Sequence, residues 1–399
     1  MTKLIDITGK ALSGEWGSDD ETGDGIPVLR TTNFTNEGVV NYNDVVTRII
    51  TKKNIDNKFL RKGDIIIEKS GGSDKFPVGR VIYFNGDENT YLFNNFTGLL
   101  RVKNQEQWFP KYVFYSLFAN YKCGGTRIYE NKTTGLHNLK TDDYVSRYEV
   151  VDMNKKQQVL ICEKLDKLCE IIKLRKKELQ LLDDLIKARF VEMFGDLANP
   201  ECLWDKSKLI DVCADKDDIK CGPFGTQLNK DEYMESGIAV WEIPQINAAF
   251  LTKPIHFLTE EKAEQLKAYT IIPGDIAMSR KGNVGKCALF PDDYPEGIIH
   301  SDVLRIRVDC KRVNSLFMMC QLHFSGMVTR QIELVSSGAI MAGVNVTKLK
   351  QIYIYVPPME LQNQFADFVR VVDKSKVAVQ KSLDETQLLF DSLMQKYFW

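Results

Sequence analysis

The sequence predicts an α+β protein in which two similar globular domains, related by a pseudo-twofold axis, are separated by two long antiparallel helices that form a coiled coil. Three observations lead to this prediction. The second half of the chain repeats the first, each half begins with short strand-like runs, and each half ends in a long stretch without proline or glycine. The chain has 399 residues, which is more than one ordinary compact core accommodates.

Several segments of the first half recur in the second half in the same order, at a shift of about 205 residues. The matched segments are 3–7 with 208–212, 26–30 with 238–242, 62–66 with 273–277, 78–81 with 284–287, 100–102 with 304–306, and 134–136 with 342–344. Each match is weak by itself. Their common order and the small drift of the shift indicate an internal duplication.

Each half opens with short β-branched and aromatic runs separated by glycine, asparagine, aspartate and proline, as at 64–68 and 78–84. This texture is typical of short strands joined by turns. Helices are predicted near 112–120 and 315–324, so each globular domain is expected to be α+β.

Two long helices are predicted where proline and glycine are absent, at 154–194 and 359–399. In the first, apolar residues are spaced alternately by four and three, which is the period of a coiled-coil seam. Pro358 is suited to open the second helix, which carries a similar stripe. Each helix would be about 60 Å long and could not bury its stripe alone.

We therefore expect the helices to pair antiparallel and to place the globular domains at opposite ends. The alternative is that each helix folds back onto its own domain. The predicted interface residues are Ile161, Leu165, Leu168, Ile172, Leu179, Leu182, Ile186, Phe365, Phe368, Val372, Val379, Leu389 and Leu393. The expected domains are a first globular domain at 1–153, a central helix at 154–196, a second globular domain at 197–357 and a C-terminal helix at 358–399.

Composition limits the class of protein but not its ligand. The formal net charge is −1, so a nucleic-acid-binding chain must concentrate its cations on one face. The nine cysteines contain no pair with metal-ligand spacing, which favours free thiols in a reducing compartment. Since no signal peptide or membrane-spanning run is visible, a cytoplasmic location is expected.

The sequence contains no complete catalytic motif, so no catalytic or metal-binding residue is predicted. The segment 282–287 resembles the end of a phosphate-binding loop, but Cys287 replaces the hydroxyl residue that holds Mg²⁺. Asp292, Asp309 and Lys311 loosely fit the acidic spacing of Mg²⁺-dependent nucleases. They keep a single-chain nuclease open as an alternative.

Cations, glycines and amides cluster in two loops of each half, and these residue types bind phosphates and base edges. Arg280 is suited to a guanine edge, Asn138 and Asn345 to adenine edges, and Arg127 to guanine or phosphate. The predicted DNA-contacting residues are Lys69, Ser70, Gly71, Gly72, Ser73, Lys75, Arg127, Lys132, Thr133, Gly135, His137, Asn138, Ser279, Arg280, Lys281, Asn283, Ser336, Ser337, Gly338 and Asn345.

Taken together, the chain resembles the specificity subunits of type I restriction-modification systems. The resemblance covers the whole chain and rests on the two strand-rich domains, their polar glycine loops, and a long helix after each. Lys155-Lys156-Gln157 and Glu360-Leu361-Gln362 resemble the Glu-x-Gln turn that such subunits often carry. The first helix lacks the preceding proline found before the second.

The resemblance implies that each domain recognises one part of a split, asymmetric DNA target and that the helices dock two methyltransferase subunits. Restriction and translocation subunits would join these. S-adenosylmethionine, ATP and Mg²⁺ would then belong to the partner subunits, and this chain would hold no cofactor. Besides the nuclease, a scaffold that binds only proteins remains an alternative.

Overall fold

The computed structural model describes residues 1–133, 136–195, 203–336 and 343–399. The chain divides into two compact units, of which unit 1 comprises residues 1–176 and 381–399 and unit 2 comprises residues 177–380. Each unit contains a globular part and one half of each long helix. Within the described ranges, no helix combines the length and the apolar character needed to cross a bilayer.

The globular part of unit 1 is built from short strands and helices. The strands are β1 (Thr2–Lys3), β2 (Leu12–Ser13), β3 (Ser18–Asp19), β4 (Ile26–Leu29), β5 (Val46–Ile49), β6 (Ile65–Glu68), β7 (Ser70–Gly72), β8 (Val81–Tyr83), β9 (Leu92–Phe93), β10 (Thr97–Leu100), β11 (Glu130–Thr133), β12 (Leu136–Leu139) and β13 (Glu149–Val150). The helices are α1 (Leu4–Thr8), α2 (Pro110–Lys122) and α3 (Thr141–Arg147), and the long α4 (Lys155–Phe194) follows them, with residues 155–176 in unit 1. Short 3-10 turns occupy Thr31–Asn33, Asp56–Lys58 and Gly125–Tyr129.

Two four-stranded sheets form the frame of unit 1. The first has the order β2-β10-β6-β8 and is antiparallel, whereas the second has the order β3-β5-β4-β9 with β4 and β9 parallel. Strand β6 is an uninterrupted apolar run until Glu68 and is buried throughout, as expected for a central strand covered on both faces. The core between the sheets includes Leu29, Ile66, Phe84 and Phe93.

Unit 2 is built from a similar set of elements. Its strands are β14 (Asp205–Lys208), β15 (Ile219–Cys221), β16 (Ile238–Trp241), β17 (His256–Leu258), β18 (Thr270–Ile271), β19 (Ile276–Ser279), β20 (Cys287–Leu289), β21 (Gly297–Ile299), β22 (Val303–Ile306) and β23 (Tyr353–Val356). Its helices are α5 (Ile243–Asn247), α6 (Glu260–Gln265), α7 (Ser315–Phe324), α8 (Gly326–Ser336), α9 (Val346–Leu349) and the long α10 (Met359–Phe398). Short 3-10 turns occupy Leu209–Val212, Gly225–Gln227, Lys230–Glu232 and Lys267–Tyr269.

The predicted duplication is confirmed by strand order. The sheet β15-β22-β19-β20 of unit 2 has the same order and antiparallel sense as β2-β10-β6-β8 of unit 1. The second sheet, β17-β16-β21-β18, repeats the parallel pair, since Leu29 faces Phe93 in unit 1 and Trp241 faces Ile299 in unit 2. The α+β fold class with two similar domains is therefore correct.

The register corrects two of the matches made from sequence. Ile65 pairs with Leu100 and Ile276 pairs with Ile306, so the equivalent of Arg101 is Arg307, two residues beyond Arg305, with which it was matched from sequence. Likewise, Val344 does not correspond to Leu136, with which it was matched from sequence. The N–H of Leu139 donates to Lys69 O and that of Val344 to Arg280 O, which makes Leu139 and Val344 equivalent. Both errors follow insertions of unequal length.

A buried ion pair is repeated in the two frames. Arg101 binds Asp64 through Nε and Nη2 at 2.7 and 2.6 Å, and Arg307 binds Asp275 through the same atoms at 2.7 and 2.7 Å. Each carboxylate also accepts a backbone N–H, from Arg61 and from Ile272. The pair therefore fixes the turn before β6 and before β19 in the same way.

The long helices pair antiparallel within unit 2. Asp183 of α4 forms an ion pair with Lys376 of α10 at 2.7 Å, and the ring centroid of Phe190 lies 5.5 Å from that of Phe365. Residue numbers thus rise along one helix as they fall along the other. The end of α4 also packs on the globular part, because Phe194 contacts Phe317 of α7 with centroids 4.8 Å apart.

Most residues predicted for the helix seam are buried or half-buried. In α4 these are Ile161, Leu165, Leu168, Ile172, Leu179, Leu182 and Ile186, and in α10 they are Phe365, Phe368, Val372, Val379 and Leu393. Leu389 is a wrong prediction, since 49% of its surface is exposed. Beyond Val379 the buried positions are Leu383, Phe390, Met394 and Phe398, and this spacing of four, seven, four and four residues keeps the stripe on one face.

A buried glutamine fixes the start of each long helix. Gln158 Oε1 accepts the N–H of Phe109 at 2.7 Å, and Gln362 Oε1 accepts the N–H of Asn314 at 2.8 Å. In both cases the donor is the backbone N–H of the residue that directly precedes a helix, α2 in unit 1 and α7 in unit 2. Gln158 is therefore the equivalent of Gln362, one residue beyond the Gln157 matched from sequence.

Candidate nucleic-acid interface

In unit 1, the two polar segments predicted as loops form one small sheet with the order β7-β12-β11. His137 faces Gly72 and Asn138 faces Ser70, with a bulge between them, so the segment after β6 and the segment after α2 are neighbours. Lys132 and Thr133 lie in β11, and Gly135 lies outside the described residues. The sequence missed this sheet because its strands are distant along the chain and rich in glycine and polar residues.

Two of the exposed cations predicted to contact DNA in unit 1 lie in or beside the turn that follows β7. Lys75 and Arg127 are exposed, and both Nη atoms of Arg127 lie 3.4 Å from the carbonyl oxygen of Asp74. Ser73 is exposed as well, and its Oγ accepts the N–H of Phe76 at 3.2 Å. This turn offers positive charge and hydroxyl groups to an anionic partner.

Two of the predicted DNA-contacting residues in unit 1 are internal instead. His137 is 5% exposed, and its Nδ1 lies 3.0 Å from Oε2 of Glu130, whose other oxygen accepts the N–H of Val78 at 2.9 Å. Gly72 is buried, and a Cβ there would lie 2.6 Å from the backbone nitrogen of Val78. The prediction for these two is corrected: they hold the small sheet against the frame.

A cleft of about 520 Å³ lies beside this sheet in unit 1. Polar groups and one exposed ring line it, including Ser13, Lys69, Ser70, Asn95, Phe96 and Asn138. Lys69 Nζ donates to Ser13 Oγ at 3.1 Å, and partial burial lowers the pKa of the Lys69 ammonium group. Asn138, predicted from sequence to contact bases, is thus half-buried at the wall of a concave surface.

In unit 2, the segment after β19 carries Arg280 at the position equivalent to Lys69. The N–H of Lys69 donates to Phe96 O, and that of Arg280 donates to Asp302 O at 2.9 Å. Lys281 forms an ion pair with Asp302 at 2.8 Å, and Asn283 is exposed in the following turn. Ser279 is fully buried at the end of β19 and does not reach the surface, which corrects its prediction.

Arg280 is held by one ring and one carbonyl group. Its guanidinium carbon lies 4.7 Å from the ring centroid of Phe224, and its Nε donates to Val344 O at 3.3 Å. Phe224 was not predicted from sequence. Trp16 of unit 1 occupies the corresponding place: Gly14 and Gly222 each pack against the end of the second strand of the parallel pair, β9 or β21, and Gly17 and Gly225 both have positive φ. The recurrence in both halves of an aromatic residue shortly before a glycine, Trp16 with Gly17 and Phe224 with Gly225, is the sequence pattern that could have identified Phe224.

The second predicted loop of unit 2 is only partly described. Ser336 is buried at the end of α8, where its Oγ donates to Ile332 O, whereas Ser337 and Gly338 lie outside the described residues. Asn345 is exposed, but its Oδ1 accepts the N–H of Lys348 at 3.0 Å and caps α9. Asn345 is therefore a helix cap, and Ser336 is internal.

A second cleft, of about 560 Å³, lies between the turn after β19 and helices α7 and α8 of unit 2. Asn283, Lys286, His323 and Glu333 contribute its polar groups. Lys286 Nζ donates to Asn247 O at 2.8 Å, and burial lowers the pKa of His323.

The acidic residues behind the nuclease alternative do not form a cluster. In the part of the chain that the structure describes, no group of three or more histidine, cysteine, aspartate or glutamate side chains could hold a metal ion. Asp292 is exposed, and Asp309 Oδ1 accepts the N–H of Lys311 at 3.0 Å.

Comparison with known proteins gives consistent results. A family model described as the type I restriction modification DNA specificity domain matches residues 3–183 and again 203–386. A curated protein of Methanocaldococcus jannaschii, described as the type I restriction enzyme MjaX specificity subunit, is 24% identical over 148 residues. That match covers 36% of this chain and 34% of the relative, so it spans about a third of the relative's length.

Solved structures share the fold at low sequence identity. The S subunit of a type I restriction-modification system from M. genitalium superimposes with a TM-score of 0.59 at 16% identity, covering 100% of this chain and 95% of that one. A chain from work on complex assembly and conformational transition of the type I R-M system gives 0.54 at 14% identity, covering 100% and 96%. Because the family model matches both halves, this chain belongs to the type I restriction modification DNA specificity family.

Proposed function

We propose that this chain recognises a bipartite, asymmetric DNA target, with each unit reading one half-site. The observation that carries the proposal is the repeated frame. Both units present a charged or polar segment directly after the same central strand, with Lys69 after β6 and Arg280 after β19 in equivalent positions. Two copies of one frame with different side chains are what recognition of two different half-sites requires.

The exposed groups divide by the part of DNA that they suit. Lys75 and Lys281 are exposed or half-exposed cations, which neutralise phosphates and contribute sequence-independent affinity. Arg127 is also exposed, and we assign it to a guanine edge in the half-site of unit 1. Arg280 and the amides of Asn138 and Asn283 can exchange two hydrogen bonds with a base edge. The internal residues Gly72, His137, Ser279 and Ser336 support these groups from behind.

The paired helices would dock methyltransferase subunits. Large apolar side chains remain exposed on both helices: Leu160, Ile171 and Leu174 in unit 1, and Leu181, Leu185, Val371 and Val377 in unit 2. Exposed apolar side chains that recur along one element are typical of a surface covered by a partner. The duplication supports two methyltransferase subunits, one for each repeat.

The chemistry would then reside in the partners. Methyl transfer with S-adenosylmethionine would belong to the methyltransferase subunits, and ATP- and Mg²⁺-dependent cleavage to restriction subunits. This chain would supply DNA recognition and assembly, without a cofactor of its own.

Binding measurements with the reconstituted methyltransferase complex test the proposal. We expect retention of DNA that carries both half-sites, with affinity falling steeply as salt rises, and weak binding when either half-site is scrambled. Equal affinity for scrambled and intact targets would contradict it. Cleavage of DNA by the purified chain with Mg²⁺, abolished by Asp292→Ala, would establish the nuclease instead, and assembly with methyltransferase subunits without any DNA binding would establish a protein scaffold.

A further inference from the structure

Arg280 is immobilised without being neutralised. Within the described ranges, no carboxylate forms an ion pair with its guanidinium group, which instead lies over the Phe224 ring and donates through Nε to Val344 O. Other arginines of the two frames are differently placed. Arg101 and Arg307 bind Asp64 and Asp275 through two atoms each, which uses the same donors that a base edge would need.

The loop that carries Phe224 is fixed by close contacts. A Cβ at Gly222 would lie 2.3 Å from the carbonyl oxygen of His300, so only glycine allows the chain to pass so near β21. After Phe224, Gly225 has a φ of +58°, and Gln227 Oε1 accepts both the N–H of Phe224 and the hydroxyl of Tyr269. The ring is nevertheless 45% exposed, so it is a surface platform and not a core residue.

We propose that Phe224 is a specificity-determining positioning residue that holds the Arg280 guanidinium plane for two hydrogen bonds to a guanine in the half-site of unit 2. A guanidinium group over a ring keeps its in-plane donors available, since the ring contacts only the face of the group. Restricting the plane lowers the entropy lost when both donors meet O6 and N7 of guanine. This inference rests on the proposed function.

Unit 1 supplies an internal contrast. Arg48 lies over Trp16 with its guanidinium carbon 4.2 Å from the ring centroid, but it also forms an ion pair with Asp19 and donates through Nε to Trp16 O. That arginine is neutralised and its donors are in use. Trp16 is therefore a suitable control for Phe224, because the guanidinium group over its ring has no donor left for a base edge.

The test uses the full chain in complex with its methyltransferase subunits. Binding is measured on duplexes that carry the sequence that this complex methylates. Each guanine of the target is replaced in turn by 7-deazaguanine, which lacks the N7 acceptor, and discrimination is the ratio of affinities for the normal and modified duplex. In the unchanged chain we expect a discrimination of ~5- to 150-fold at one guanine, and we expect Arg280→Ala to abolish it. Phe224→Leu, which keeps apolar bulk without a π face, should reduce it at that same guanine by ~2- to 5-fold.

Conservative and matched variants make the result decisive. Phe224→Tyr should retain discrimination, and Trp16→Leu should leave every guanine unaffected. If Arg280→Ala acts and Phe224→Leu does not, the inference fails while DNA recognition by the two units stands. It also fails if Phe224→Leu weakens all duplexes equally, which would indicate a structural role. If Arg280→Ala itself leaves discrimination unchanged, both the inference and the assignment of Arg280 to base recognition fail.

Discussion

Unit 1 and unit 2 share a frame but differ in what they attach to it. In both, four strands follow in the same order, and in both a buried arginine–aspartate pair fixes the same turn. After the helix that packs on the frame, however, unit 1 continues into the β11–β12 hairpin, whereas unit 2 continues into helix α8. The frame is thus what the two units have in common, and the segments beside it are where they differ, as the proposed recognition of two different half-sites requires.

The largest effect is expected for the buried stripe of the long helices, one part of which lies in each unit. Phe390→Ala in unit 1 and Phe365→Ala in unit 2 should each lower the free energy of unfolding by ~3–5 kcal/mol, because each leaves a cavity in a buried stripe. Leu389→Ala, one position from Phe390 but exposed, should change it by less than ~1 kcal/mol. Urea unfolding followed by circular dichroism measures this, and equal losses for Phe390 and Leu389 would place the seam elsewhere.

The next effect tests whether the frames are energetically alike. Asp64→Ala and Asp275→Ala should each cost ~2–4 kcal/mol, somewhat below the loss for a fully buried pair, because Arg101 and Arg307 keep partial contact with water. Asp367→Ala breaks an exposed pair with Arg370 and should cost at most ~1 kcal/mol. Very different losses for Asp64 and Asp275 would mean that the same ion-pair geometry contributes unequally to the free energy of unfolding in the two units.

A smaller effect concerns the glutamines that fix the long helices. Gln158→Leu and Gln362→Leu should each cost ~1–3 kcal/mol, since each leaves a partly buried backbone N–H without its acceptor. Gln180→Leu on the exposed face of α4 serves as control, with an expected change below ~0.5 kcal/mol. The variants are compared by their urea midpoints. An unchanged midpoint for both buried variants would show that these glutamine contacts do not stabilise the chain.

The smallest effect is a loss of DNA discrimination at the half-site of one unit only. Arg127→Ala should weaken discrimination at the half-site of unit 1 by ~1–2 kcal/mol and leave the other half-site unchanged. A uniform loss at all sequences, with a shallower salt dependence, would instead assign Arg127 to phosphate.

The repeat and the two long helices could be predicted because their signals are local or periodic. Proline and glycine are absent from both helices, and the seam residues recur at coiled-coil spacing as far as Val379. Leu389 was wrong because Ser382 and Thr386 interrupt the apolar pattern and leave the phase open. The matches near Arg101 and Gln158 slipped because insertions of different length precede them.

The surface residues were harder to predict because burial and pairing depend on distant parts of the chain. His137 and Ser279 look like ordinary polar loop residues, yet contacts with Glu130 and the position of β19 place them inside. Asn345 caps a helix of four residues that has no periodic signal. Phe224 acquires its significance only through contact with Arg280, which lies far away in sequence.

Sequencing of methylated positions in the genome of cells that carry this chain and its methyltransferase would show whether each unit recognises one half-site. We expect a split motif, with two specific parts around a nonspecific spacer, and we expect Arg280→Ala to relax one part while the other part stays intact. A single contiguous motif, or relaxation of both parts by Arg280→Ala, would contradict recognition of one half-site by each unit.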